Sequence, residues 1–95
     1  FKDAAIIGPW LAYAKFKHLL DIDYSLEIND VLKQQGNAHQ MMMNAFDLLS
    51  YLSHFFPLKK GDLIFTGTPA GVTSIQRGSM ARLSWENFHF SVKWI

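Results

Sequence analysis

The chain contains no cysteine, which removes disulfide frameworks and thiolate metal centres together and fits a reducing compartment, so a cytoplasmic location is the expectation. It has no apolar run approaching the roughly 18 residues that a membrane-spanning helix requires. Positive charge is not concentrated either. Nine Lys and Arg against eight Asp and Glu leave a net charge of +1. Eight of the nine cations, Lys15, Lys17, Lys33, Lys59, Lys60, Arg77, Arg82 and Lys93, are scattered along the chain, and the ninth is Lys2. No basic stripe interleaved with aromatics is present to follow a phosphate backbone, which argues against nucleic acid as a partner. There is no internal repeat and no linker that would divide the chain into two domains. Of the four histidines, His18, His39, His54 and His89, no two sit at the close spacing of a metal-ligand pair. Surface or capping roles are the expectation for them, with His54 in a last helical turn where a cation interacts well with the helix dipole.

What is present is apolar and aromatic. Hydrophobic residues make up 49% of the 95 residues and charged residues 18%, a balance that builds a core rather than a disordered tail. The length allows one small domain or part of one. Phe55, Phe56, Phe65, Trp85, Phe88, Phe90 and Trp94 crowd the second half, a supply of rings that asks for a further sheet to pack against.

Periodicity places the elements. Ile6 to Ala14 reads as a strand interrupted at Gly8-Pro9, where proline suggests an edge or a bulge. Tyr24, Leu26 and Ile28 alternate with Ser25, Glu27 and Asn29, the period-two pattern of a strand. Asn29-Asp30 suits a two-residue turn, Val31 to Gln35 returns as its partner strand, and Gly36-Asn37 breaks it. Met41 to Phe55 reads as a helix. Met42, Phe46, Leu49 and Ser53 share one face, Ala45, Leu48 and Leu52 lie beside them, Asn37 is a candidate cap, and Pro57 ends the helix. Lys59-Lys60-Gly61-Asp62 and Gln76-Arg77-Gly78 read as turns. Ala81 to Trp85 and Phe88 to Trp94 form a hairpin around Glu86-Asn87. In its second strand Phe88, Phe90, Val92 and Trp94 face inward, opposite His89, Ser91 and Lys93. The fold class is therefore mainly β with one α-helix.

The most informative stretch is residues 61–72, Gly-Asp-Leu-Ile-Phe-Thr-Gly-Thr-Pro-Ala-Gly-Val. Leu63, Ile64 and Phe65 are long enough for a short buried strand. It ends in Thr66, Gly67, Thr68 and Pro69, which offer backbone amides and two hydroxyls with little side-chain bulk to block a ligand. Asp21 and Asp23 resemble a carboxylate pair able to share a metal, although a polar loop before a strand is the stronger reading. Met41-Met42-Met43 reads as adaptable packing.

The stretch resembles, almost residue for residue, the signature of the fumarylacetoacetate hydrolase family, Gly-Asp-x-Ile-x-Thr-Gly-Thr-Pro-x-Gly-Val. The flanks agree in order. Gly8-Pro9-Trp10 resembles the family's Gly-Pro-Trp entry, Gln35-Gly36-Asn37 with Met41 its hairpin leading into a helix, and Leu48 to Leu52 that helix. There are two departures. Ala38 and His39 stand where the family usually has Thr-Ser, and Lys2 stands where it often has Asp.

The resemblance implies the C-terminal portion of the family's mixed β-sheet roll, in the isomerase, decarboxylase or acylpyruvate-hydrolase branch. It implies a small 2-oxo or 1,3-dicarbonyl acid as substrate, pairing as a homodimer, and Mg²⁺ or Mn²⁺ acting as a Lewis acid. Thr66, Gly67, Thr68 and Pro69 would be substrate-binding, with the Thr68 hydroxyl on a substrate oxygen. The family's metal acids, a Glu-x-Glu pair and an Asp, together with a lysine, map upstream of Phe1. The expectation is therefore a partial catalytic domain over residues 1–95, with no catalytic or metal-ligating residue of its own and inactive alone. A non-catalytic assembly module that keeps the fold is the alternative, and upstream sequence separates the two.

Overall fold

Two tight reversals organise the sheet. Asn29 and Asp30 adopt φ of 51° and 63°, the left-handed pair whose twist matches that of the flanking strands. They join β1 (Asp23–Ile28) to β2 (Val31–Asn37). Glu86, with φ of 54°, and Asn87 join β3 (Met80–Trp85) to β4 (Phe88–Lys93). The computed structural model of the chain describes residues 2, 4–15 and 19–95. Phe1, Lys17 and His18, named above, lie outside the described residues. Within these bounds the molecule is mainly β with one helix, α1 (Ala45–Ser53).

The four strands lie in the order β2-β1-β3-β4, antiparallel throughout. The hairpins meet along β1 and β3, where Ile28 pairs with Ala81. Asn29 closes this seam from the turn: its N–H donates to the Met80 carbonyl at 2.8 Å, and its side-chain oxygen accepts from Met80 N at 2.9 Å. Ile28 and Ala81 are buried at this seam, at 6% and 0% exposure, and Ile22, ahead of the other end of β1, is buried at 2%. In β4 and the residue after it, Phe88, Phe90, Val92 and Trp94 are half-buried while His89, Ser91 and Lys93 are exposed, as the alternation predicts. Phe90 covers the N-terminal segment so closely that a Cβ on Gly8 would fall 2.5 Å from its ring.

Between Leu26 and Glu27 the β1–β2 register slips by one, since Leu26 faces Gln34 but Glu27 faces Leu32. Lys33 is therefore the extra residue of a β-bulge. Gly36 does not break β2, contrary to the expectation from glycine. It is buried and paired with Tyr24, whose ring lies across it, and a Cβ there would meet Tyr24 Oη at 2.9 Å. An aromatic neighbour covering a strand glycine restores the packing that the glycine lacks.

Three other expectations are corrected. The helix begins four residues later than its apolar pattern, because Asn44 captures the first turn. Asn44 Oδ1 accepts from Asp47 N at 2.9 Å and its Nδ2 donates to Asp47 Oδ2 at 2.7 Å. Asn37 instead caps a short 3₁₀ turn, Ala38–Gln40, accepting from His39 N at 2.9 Å. The half-buried face of α1 is Ala45, Leu48 and Leu52, while Phe46 and Leu49 are exposed. At its end His54 Nδ1–H donates to the Ser50 carbonyl at 2.8 Å, a capping contact. Ile6 to Ala14 forms no strand; it runs irregularly into a 3₁₀ turn at Tyr13–Lys15. Leu63 to Phe65 forms no strand either. Both runs have strand composition, but a strand exists only where a neighbour supplies the hydrogen bonds, and neither run is paired with an edge of this sheet. Their side chains show it, with Trp10 79% and Phe65 70% exposed.

Candidate functional site

The signature segment leaves a turn that Asp62 ties shut. Asp62 Oδ2 accepts from Lys59 N at 2.7 Å, and Asp62 N donates to the Lys59 carbonyl at 3.1 Å. From there to Ile75 the chain makes no ladder. Thr66, Gly67 and Thr68 are exposed and Pro69 is half-buried.

The segment meets the bulge of β2 at two points. Gln34 Nε2 donates to Thr68 Oγ1 at 2.9 Å and to the Pro69 carbonyl at 2.8 Å. Two residues on, Gly71 passes so close to β2 that a Cβ would stand 2.1 Å from the Lys33 carbonyl oxygen. Its φ of 101° also lies in the left-handed region. Gly71 therefore has two reasons to be glycine, backbone torsion and backbone approach. Gly67 differs. Its φ is 94°, but nothing lies within 4 Å of its absent Cβ. The space over Gly67, beside the Thr68 hydroxyl, is open.

Thr66, Gly67 and Thr68 thus form an exposed edge carrying two hydroxyls, with the half-buried Pro69 beside it and Gln34 bonded to Thr68 and Pro69 from β2. No titratable group lies among them. The chemistry such an edge supports is hydrogen bonding to a small ligand rather than proton transfer or nucleophilic attack. A groove of about 420 Å³ between Leu52, Phe56 and Leu63 contains none of the four and is apolar except for Asp62.

Asp21 and Asp23 part company in the fold. Asp23 Oδ1 accepts from Asn37 Nδ2 at 2.8 Å, while Asp21 Oδ1 lies 3.5 Å from His39 Nδ1. His39, the residue in place of a family hydroxyl, sits on the Asn37 side chain at an exposed position. Among the described residues no three His, Cys, Asp or Glu side chains converge in a way that would hold a metal ion. The donor set of a divalent-cation centre is not offered by them. No helix among the described residues is long and apolar enough to cross a membrane.

Sequence reasoning missed Gln34 and the second role of Gly71. Gln34 lies 34 positions before Thr68, so no local pattern links them. The one available signal is a polar residue placed opposite Leu26 on a strand face otherwise marked by Tyr24 and Leu26.

Residues 1–89 match the family model described as Fumarylacetoacetate (FAA) hydrolase C-terminal. A 2,4-didehydro-3-deoxy-L-rhamnonate hydrolase from a Sphingomonas species is 40% identical over 67 residues, 70% of this chain and 24% of that protein. An oxaloacetate tautomerase from Escherichia coli is 35% identical over 69 residues, 73% of this chain and 32% of that protein. Among solved structures, maleylpyruvate hydrolase from Sphingobium sp. SYK-6, in complex with manganese(II) and pyruvate, superposes with a TM-score of 0.86 at 28% identity, over 93% of this chain and 34% of that one. The chain spans about a third of the length of the curated relatives it matches. With the signature in order, the fold superposed and the family match running from residue 1 to residue 89, the chain belongs to the fumarylacetoacetate hydrolase family.

Proposed function

We propose that this chain is the C-terminal part of a divalent-metal-dependent enzyme acting on a small 2-oxo or 1,3-dicarbonyl acid, by C–C hydrolysis, decarboxylation or isomerisation. Thr66, Gly67, Thr68 and Pro69 are its contribution to the substrate pocket. The observation that carries this reading is the Thr68 hydroxyl, exposed beside the open approach over Gly67 and fixed from behind by Gln34. The relatives support the substrate class: one acts on a sugar-derived acid, one on oxaloacetate, and one is seen with pyruvate.

In this reading Thr68 binds and orients an anionic oxygen, Gly67 keeps the approach clear, and Pro69 stiffens the segment. The metal is assigned to the family's Glu-x-Glu pair and Asp, in the portion of the family fold that this chain does not span. The same portion covers the exposed Trp10, Phe65 and Val72. Without it the chain is inactive. A cytoplasmic, homodimeric enzyme completes the proposal.

The test is Thr68→Val in the intact enzyme. The change keeps the shape and removes the donor to a charged oxygen, a hydrogen bond worth roughly 1.5–3 kcal/mol. The expected result is a kcat/KM lowered by roughly ten- to a hundredfold with little change in thermal stability. Normal kinetics with a large loss of stability would overturn the assignment and make the segment a structural turn.

A further inference from the structure

We propose that Gln34 is a positioning residue that fixes the direction of the Thr68 hydroxyl, so that this hydroxyl presents its hydrogen to the ligand. The proposal rests on the pocket reading of Thr68 and adds to it the group that sets its polarity.

The argument begins at Pro69. A carbonyl oxygen can only accept, so the Gln34 atom 2.8 Å from it must be the amide nitrogen. That contact settles the orientation of the Gln34 side chain, which distance alone leaves ambiguous in an amide. An NH₂ group has two hydrogens. One is committed to Pro69, and the other points to Thr68 Oγ1 at 2.9 Å. Thr68 Oγ1 is therefore an acceptor toward Gln34, and its own hydrogen is left for the exposed side. A hydroxyl held in this way matches a carboxylate, a carbonyl or an enolate oxygen and mismatches a ligand hydroxyl that must donate. Gln34 directly follows the bulged Lys33, so the carbonyl that Gly71 approaches and the amide that meets Thr68 come from two adjacent residues of β2.

Substitution separates direction from mere attachment. Gln34→Leu removes both donors and frees the hydroxyl to rotate. Gln34→Glu keeps the size but accepts only. It draws the Thr68 hydrogen inward, turns the oxygen lone pairs toward the ligand and sets a carboxylate beside the Pro69 carbonyl.

The experiment is calorimetric titration of pyruvate into the intact, Mn²⁺-loaded protein, for the parent, Thr68→Val, Gln34→Leu, Gln34→Glu and the double variant Gln34→Leu/Thr68→Val, with melting temperature followed alongside. We expect Thr68→Val to weaken pyruvate binding roughly tenfold or more, and Gln34→Leu roughly three- to tenfold. Gln34→Glu should weaken it at least as much as Thr68→Val. In the Thr68→Val background, Gln34→Leu should add less than about twofold, since its target has gone. Full additivity of the two, or parent-like binding by Gln34→Glu, overturns the positioning role and leaves the pocket reading standing. Parent-like binding by Thr68→Val overturns the pocket reading and the positioning role with it. A purely structural Gln34 would lower the melting temperature of Gln34→Leu and act additively, which is also a refutation.

Discussion

Strand β2 and the segment from Leu63 to Ile75 touch each other, yet they satisfy their backbones by opposite means. β2 is laddered to β1 along its length, with one bulge, and a two-residue turn sets its register. The neighbouring segment has no ladder; Gln34 bonds its Thr68 and Pro69 from β2, and its Gly71 passes close to the Lys33 carbonyl. Ladder bonds are numerous and mutually supporting, so the loss of one side chain is shared among them. The two bonds to the segment come from one side chain, Gln34, so its loss removes both. The general lesson is that a rigid sheet can carry a ligand-binding edge without that edge becoming sheet itself. Its N–H groups and hydroxyls then remain available for a ligand.

The comparison can be broken most forcefully on the sheet side. Ile28, at 6% exposure on the β1–β3 seam, should lose about 2–5 kcal/mol of unfolding free energy on change to Ala, the range for buried large-to-small substitutions. Denaturant unfolding of the intact protein should show a lower midpoint with kcat/KM per folded molecule nearly kept. A large kinetic loss without a stability loss would mean that the seam and the segment are not separable.

Next in size is Gly71→Ala. A left-handed non-glycine residue costs roughly 1–2 kcal/mol, and the Lys33 carbonyl 2.1 Å from the new Cβ has to move as well. The expected signature is the reverse of the first: kcat/KM down by roughly tenfold or more, with faster amide exchange confined to residues 66–72. Gly67→Ala, with open space around its Cβ, should show the torsional part alone and a smaller effect. Equal effects at the two glycines would remove the backbone contact from the account.

A smaller change is expected at the helix, which belongs to neither region. Asn44→Ala removes the cap bonded to Asp47 N and should cost about 1 kcal/mol of stability, with kinetics unaffected. A cost near zero would move the helix start back toward Met41. The smallest effect of all is expected from metal. Mn²⁺ titrated into the 95-residue chain should give no tight stoichiometric heat, because neither region gathers a ligand set. A sharp one-to-one transition would place the metal site here after all.

The sheet was largely legible in the sequence, since its signals are local. Asn29-Asp30 and Glu86-Asn87 announce turns, and the alternation in β4 from Phe88 onward states which side faces in. Gly36 was misread because its partner is Tyr24, on another strand, and a single residue does not show what covers it. The start of α1 was misread because two asparagines compete to cap, and hydrophobic period cannot choose between Asn37 and Asn44. The strands expected at Ile6 and Leu63 failed for one reason: apolar composition records a tendency to be covered, not the presence of the neighbour that does the covering. Thr66 to Pro69 was singled out through resemblance, whereas the bond from Gln34 to Thr68 could not be read from the sequence, because the link spans two elements and a bulge.

The extra residue at Lys33 bears on any attempt to redesign specificity. Because the bulge and the signature segment share their fit, the two stretches form one inheritable unit despite the helix and turns between them. A segment transplanted from a relative with a regular β2 would arrive without its seat, and deleting Lys33 would keep Gln34 opposite Leu26 but remove the carbonyl that Gly71 approaches. Exchange of substrate preference between relatives is therefore expected to require moving residues 31–37 and 62–72 together, as a paired graft.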